Sequence, residues 1–362
     1  MHLRISNCFL ALALAVIPAW AFSDVPPIID THTHLENTGG FFKKPAVGAF
    51  GVAAPGQNFH KEVEAAIRRM DRYGIRRIVL LPPPMGAGAK NIYEIDEIRF
   101  AAEQYPDRIS LGGGGGSLNG MIQSTPADGV TDEMKQQFRA KAEKIAAAGA
   151  VVFGEVAAHH LSLRRMGPNH AYEYVPPDHP LLLLLADIAA EKGIPIDLHL
   201  DLVPNDMDLP DRPIFNPTTP SHLKANLAGF ERLLDHNKKA KIIWAHAGTD
   251  PLGTRQPQIQ RDLLTRHPNL YMSIRLGVGA PPPFIALDQN LNLKPQWLAL
   301  FRDFPDRFVL GSDFFHAAGD DSARGPEEEG LNNFKIFLQQ LPPDLAEAIA
   351  HGNAEKLYRF SH

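Results

Sequence analysis

Apolar residues along this chain follow two alternating rhythms. Short runs rich in Ile, Val and Leu alternate with stretches in which apolar positions recur every three or four residues. The runs predict strands over 27–31, 75–81, 108–111, 150–156, 194–200, 241–245, 269–274 and 307–310. The periodic stretches predict helices over about 60–73, 91–104, 131–148, 180–192, 220–237, 257–267 and 295–303, and two more close the chain. Gly74, Gly149 and Gly193 end helices, and Thr131 is placed to cap one. Strands joined through helices pair in parallel. Eight such units predict an α/β fold, a closed (β/α)8 barrel of TIM type. Long segments at 38–59, 112–130, 157–179 and 202–220 read as loops over the C-terminal face of the strands.

The first residues break this rhythm. His2 and Arg4 precede an apolar run, Phe9 to Ile17, and Ala19-Trp20-Ala21 offers a small-x-small cleavage pattern. Residues 1–21 therefore read as a signal peptide, the run being too short to span a bilayer comfortably. Residues 22–362 read as a single domain, since no Ser/Gly linker or composition shift divides them. The protein is expected to be exported, periplasmic or secreted, with no membrane attachment after cleavage.

Composition narrows the chemistry. The chain has 362 residues, 44% hydrophobic and 21% charged, which excludes wholesale disorder and a multi-span membrane protein. A net charge of −5 gives no basic footprint for nucleic acid. The one cysteine, Cys8, lies in the segment to be removed. A mature chain without thiols has no disulfides, no cysteine zinc site and no thiol nucleophile. Any metal must be held by His and carboxylates.

The strand ends supply both. In a barrel of this type the active site lies at the C-terminal ends of the strands. Strand one ends Asp30-Thr31-His32-Thr33-His34, strand four ends at Glu155, strand five at His199, strand six at His246 and strand eight at Gly311-Ser312-Asp313. A lone His-x-His pair means little, because sixteen His residues in this length give roughly 0.7 such pairs by chance. Position adds the weight. Residues two apart on a strand share a face, so His32 and His34 can converge on one ion. His199 likewise shares a face with Asp197 and Asp201. Imidazoles with a carboxylate suit zinc or a similar divalent ion, and an open coordination position would activate water. Asp313 is placed to take a proton from that water. His246 could bind metal or polarise a substrate oxygen.

The Asp30-x-His32-x-His34 opening, with His199, His246 and Gly-Ser-Asp313, resembles the amidohydrolase superfamily. It is similar especially to the branch of metal-dependent TIM-barrel hydrolases that includes non-oxidative decarboxylases and lactonases. The closing Gly352-Asn353-Ala354-Glu355-Lys356-Leu357-Tyr358 resembles that branch's last helix. The resemblance covers about residues 27 to 360. It implies that His32, His34, His199 and Asp313 bind a catalytic metal, and that His246 is either a ligand of a second metal or a substrate-polarising residue. Many binuclear members carry a carboxylated Lys on strand four; this chain has Glu155, which in some relatives bridges two ions. One or two ions per chain, most simply zinc, are expected.

The function expected is hydrolysis by a metal-activated water at a carbonyl or phosphoryl centre of a small molecule, with Asp313 as general base. Non-oxidative decarboxylation on the same fold is the alternative, and a non-catalytic metal- or ligand-binding barrel is the third reading. Arg275, at the end of strand seven, suits a substrate carboxylate or an internal ion pair. His159, His160 and His170, after strand four, are further candidates for substrate contact. The glycine run at 112–116 lacks the Lys and Ser/Thr of a phosphate loop and reads as a close-approach or flexible segment. Homo-oligomerisation stays open, with Ala280-Pro281-Pro282-Pro283 a candidate interface or simple loop.

Overall fold

The barrel closes in sequence order. Its strands are β1 (Ile28–Glu36), β2 (Ile75–Leu80), β3 (Ile109–Gly114), β4 (Val152–His160), β5 (Ile196–Leu200), β6 (Ile242–Ala247), β7 (Leu270–Ile274) and β8 (Phe308–Leu310). Each is parallel to the next, and β8 returns to β1 through the pair Asp30–Leu310. A further strand, β9 (Phe314–Ala317), continues past β8 and pairs with the outer half of β1, His34 opposite Phe315. The computed structural model describes residues 25–36, 59–84, 86, 93–164, 170–276, 286–318 and 326–360. The segment 1–21, nearly all of 38–59 and residues 280–283 lie outside these. Among the described residues no helix is long and apolar enough to cross a membrane.

Helices cover the ring: α1 (His60–Tyr73), α2 (Ile95–Gln104), α3 (Leu118–Ser124), α4 (Asp132–Ala147), α5 (Pro180–Lys192), α6 (Leu227–His236), α7 (Pro257–Arg266), α8 (Pro295–Asp303), α9 (Pro326–Leu338), α10 (Pro343–Glu347) and α11 (Asn353–Tyr358). Local chemistry explains their ends. Thr131 accepts a hydrogen bond from Met134 N at 3.2 Å and starts α4. Glu94 and Glu97 form a reciprocal capping box on α2. Gly74 and Gly193 stop α1 and α5 in the left-handed region, at φ 68° and 67°.

Three expected boundaries move. β4 runs on to His160, because Ala157 pairs with His199, and His159 and His160 pair antiparallel with Tyr174 and Glu173. His159 and His160 are therefore strand residues, not loop residues. The segment 112–130 is no plain loop: Gly112 to Gly114 belong to β3 and α3 follows. A Cβ on Gly115 would collide with the carbonyl oxygen of Pro82, so the glycine run is a site of close backbone approach. Helix α6 begins at Leu227 rather than near 220, since His222 and Leu223 pair with Met207 and Asp208 in a small hairpin.

Two apolar layers result. Ile28, Ile78, Leu80, Ile109 and Leu198 pack outward against the helices. Ile29, Val79, Val152, Ile243 and Val309 form a separate cluster with Ala354, Leu357 and Tyr358 of α11. That alternation is the period-two rule acting on a ring: one side of each strand meets the helices, the other fills the barrel. The last helix plugs the barrel floor, so the opposite end carries the polar residues.

Candidate metal centre

Hydrogen bonds fix the two β1 imidazoles. His32 Nδ1 lies 3.1 Å from Asp197 Oδ2, and His34 Nδ1 lies 2.9 Å from the carbonyl of Leu81. Both partners only accept, so each Nδ1 carries the hydrogen and each Nε2 presents a lone pair. The two Nε2 atoms face each other at 3.2 Å. Bare lone pairs at that distance repel unless a proton or a cation lies between them. Around them stand two carboxylate oxygens. Glu155 Oε2 is 3.3 Å from His32 Nε2 and 3.4 Å from His34 Nε2. Asp313 Oδ1 is 3.3 Å from His34 Nε2 and 3.8 Å from His32 Nε2. Zinc holds such donors at about 2.0–2.2 Å, which sets tetrahedral neighbours about 3.3–3.5 Å apart. The four donors fit one ion.

The other oxygen of Glu155 serves a second group. Oε1 is 2.8 Å from His199 Nδ1 and 3.2 Å from His246 Nε2, and these nitrogens are 3.2 Å apart. His199 thus lies between two carboxylates, with Nε2 3.3 Å from Asp201 Oδ2, and against the effect of burial they raise it to about 9; an ion on Nδ1 would displace that proton while Asp201 keeps the hydrogen on Nε2. So the predicted ligands divide: His32, His34 and Asp313 gather on one oxygen of Glu155, and His199 with His246 on the other. His246 also reaches back, since donor atoms of His32, Glu155, His246 and Asp313 all lie within 4.8 Å of one another. Its Nδ1 is buried without a hydrogen-bond partner among the described residues, 4.0 Å from Asp313 Oδ2.

The electrostatics match a cation site. Burial alone would lower the pKa of His32, but the carboxylates of Asp197 and Glu155 outweigh it and hold the imidazole well above its ordinary value. Burial would raise Glu155, yet His32, His199 and His246 pull it well below the carboxylate range. Without an ion, the centre draws protons onto its histidines in place of the missing charge. His246, by contrast, is pushed down to about 3, chiefly by burial.

Strand-end backbone is bent to aim these groups. His246 has φ 62° and Asp313 φ 54°, in the left-handed region that non-glycine residues seldom occupy. Asp313 N donates to His32 O at 2.8 Å. Beside it, Ser312 donates from N and Oγ to Asp30, at 2.9 and 2.5 Å. Burial lifts Asp30 to about 6, against those Ser312 bonds. Gly311 allows the approach, because a Cβ there would lie 2.9 Å from the Cβ of His32. Asp201 is braced by Arg255, whose buried guanidinium also donates to the carbonyls of Leu200, Ala245 and His246 and lies 5.0 Å over the Trp244 ring. One side chain thus ties the ends of β5 and β6 together.

The expected substrate residues part ways. Arg275 pairs with Asp313 Oδ2 and keeps 13% of its side-chain surface exposed. Burial alone would raise Asp313; Arg275 and His246 reverse that and hold it far below the carboxylate range. His160 packs its ring 4.5 Å from His199, and His170 packs 4.6 Å from His160. His159 is 1% exposed and points its Nδ1 at the carbonyl of Asp201, 2.7 Å away, so it secures the end of β5 instead of lining the mouth. Asp197 and Arg255 were missed as site residues. Asp197 carried a readable signal, since it shares its strand face with His199; Arg255 carried none.

Comparison with known proteins places the barrel in a family of enzymes. Residues 130–360 match the family model described as Amidohydrolase, and the chain belongs to that family, on its TIM-barrel branch. It is an enzyme of the amidohydrolase superfamily with a His, Glu and Asp group able to hold divalent metal. Among solved structures, an uncharacterized TIM-barrel protein of Bordetella bronchiseptica is 16% identical with a TM-score of 0.51, over 91% of this chain and 97% of that one. A probable 2-pyrone-4,6-dicarboxylic acid hydrolase of Acinetobacter baumannii, with citric acid bound, is 17% identical with a TM-score of 0.49, over 92% and 100%. An amidohydrolase of Burkholderia multivorans with bound zinc is 13% identical with a TM-score of 0.48, over 92% and 99%. At these identities the likeness is one of fold. No curated protein matches the chain.

Proposed function

We propose that the protein is an exported, zinc-dependent hydrolase of a small molecule carrying a carboxylate, in which Glu155 would help to hold both of two ions. The observation that carries this reading is the disposition of Glu155, one oxygen toward His32 and His34 and the other toward His199 and His246. His32, His34, Glu155 and Asp313 would hold one ion; His199, His246 and Glu155 would hold the other. Divalent ions so placed supply Lewis acidity toward a carbonyl or phosphoryl oxygen and make water acidic near neutral pH.

The chain's own groups do the rest. Asp313, ionised and fixed at φ 54°, is oriented to accept a proton and return it to the leaving group. Its ion pair with Arg275 keeps it ionised but also makes it a poor acceptor. A substrate carboxylate would compete for Arg275 through the same fork-shaped geometry, and Asp313 would then regain proton affinity where substrate is bound. Asp197 and the Leu81 carbonyl keep His32 and His34 in the tautomer that binds metal. Export rests on the pattern of residues 1–21, with cleavage after Ala21 and a periplasmic or extracellular site of action.

Metal counting tests the reading. Mass spectrometry of protein purified without chelator is expected to give two zinc ions per chain. One ion would reassign His246 to substrate; a chain that binds none and cannot be loaded would overturn the hydrolase. Release of carbon dioxide from aromatic acids, without ester, lactone or amide cleavage, would favour decarboxylation instead.

A further inference from the structure

A cavity of about 270 Å³ opens at the floor of the barrel, at the opposite end from the metal group. Its walls place it there. Val25 leads into β1, Leu338 ends α9, and Leu341 and Ala346 follow on the way to the plug helix α11. Glu347 also lines it and is exposed, so the cavity reaches the surface. Glu347 is the only carboxylate among the lining residues. His351, one turn further on, has its Nδ1 3.4 Å from Glu355 Oε2, which leaves Glu347 as the charge offered to an occupant.

Size and position select the occupant. Small-molecule sites span roughly 300–1,000 Å³, so this cavity suits a single side chain better than a free ligand. Apolar walls beside one carboxylate call for an apolar body that carries a cation. The mature chain supplies one. Cleavage after Ala21 leaves Phe22, Ser23 and Asp24 ahead of Val25, which itself lines the cavity. These residues, 22–24, lie outside the described residues. Three residues span at most about 10 Å, so Phe22 stays within reach of the wall. Val25 precedes Pro26, which favours extended or polyproline geometry. In the polyproline form three residues make one turn, and Phe22 would return to the face that Val25 presents. The same cleavage turns the Phe22 nitrogen from an amide into an ammonium.

We propose that this cavity is the seat of the mature N-terminus, with the Phe22 ring against Leu338, Leu341 and Ala346 and its α-ammonium paired with Glu347. The proposal rests on the cleavage in the export reading and is independent of the hydrolase. While residues 1–21 are attached, the Phe22 nitrogen is uncharged and makes no ion pair. Their removal creates the cation, and the ring and the charge then hold the lead-in of β1 to the segment between α9 and α11. Processing thereby fastens the chain at the end where β1 enters the barrel, away from the mouth.

Two preparations test this: the protein exported with its own residues 1–21, and residues 22–362 released from a cleavable fusion with Phe22 first. N-terminal sequencing of the exported form reads the cleavage. A start other than Phe22 overturns cleavage after Ala21 and not the docking, which the second preparation decides. At pH 7 an amine acylating reagent should label the Phe22 nitrogen about 10-fold more slowly than in Glu347→Gln, the effect of a one-unit rise in its pKa, read by mass spectrometry of the N-terminal peptide. Thermal unfolding should show Phe22→Ala lowering Tm by about 3 °C. The loss should be much smaller where Leu341→Ala has already trimmed that wall, because residues in contact are not additive. Equal labelling of wild type and Glu347→Gln overturns the proposal. So does a Phe22→Ala loss that adds fully to that of Leu341→Ala, and so does a Phe22→Ala variant as stable as wild type, which would leave the cavity to a partner or a small molecule.

Discussion

The two ends of the barrel are built on the same eight strands and obey opposite rules. At the floor, Ile29, Val79, Val152, Ile243 and Val309 meet Ala354, Leu357 and Tyr358 in an apolar plug. At the mouth, a few residues along, the strands end in His32, His34, Glu155, His199, His246 and Asp313. The strands of the floor are regular and apolar on this side, although a π-helical turn at Ala348–Gly352 leads into α11 and Arg359 ends it at φ 49°. The mouth concentrates its irregularity on the ligands themselves: His246 and Asp313 are both at positive φ, and His246 Nδ1 is buried with no hydrogen-bond partner among the described residues. Strain and unpaired polar groups are costly, and they persist where packing elsewhere over-determines the backbone. The floor thus carries the stability that lets the mouth be assembled against its own local preferences.

The comparison breaks most sharply at Asp313. Asp313→Asn keeps the shape and removes the charge; kcat for a substrate found by screening should fall about 10^3-fold or more, while much of the metal stays bound. Steady-state kinetics beside metal analysis checks it, and retained kcat would remove Asp313 from its proton-transfer role. At the other end, Leu357→Ala opens a cavity beneath the strands. Denaturant unfolding should show a loss of about 3 kcal/mol, with kcat and metal content of the folded protein unchanged. A drop in kcat as large as the drop in stability would mean that the two ends are not separable. Asp197→Asn probes the boundary between them. It leaves the donor atoms of the centre in place but weakens the hold on the His32 tautomer, so competition with a chelator should show metal affinity reduced about 10–100-fold.

Legibility in the sequence divides along the same line. Periodicity marked all eight strands and the ring, because β-strand and helix repeats act locally and every unit carried its own turn residues. The donors at the strand ends were legible for the same reason: His32 and His34 are two apart on one strand, and Gly311-Ser312-Asp313 closes a short apolar run. What holds them was less so. Asp197 meets His32 across 165 positions, and the pairing of Glu173 with His160 decides where β4 ends. Arg255 is an arginine in a loop by composition, and only folding buries it against Asp201 and three carbonyls. The split of the ligands around Glu155 depends on which oxygen faces which ring, a property of side-chain geometry with no trace in spacing.

Closure of the ring has one more consequence. Asp30 touches Ser312 across 282 positions, and Asp313 takes its place by donating to His32. The first and last strands of the barrel therefore bring together the groups that would hold one ion. Until β8 arrives, the early part of the chain holds two histidines that repel each other and a carboxylate without its counterpart. High affinity for metal is then a late property of folding, acquired only when loops spanning the whole molecule have closed. An ion held in the finished centre would work as a clasp on the circle, and its residence time would report how seldom the two ends of the strand order part company.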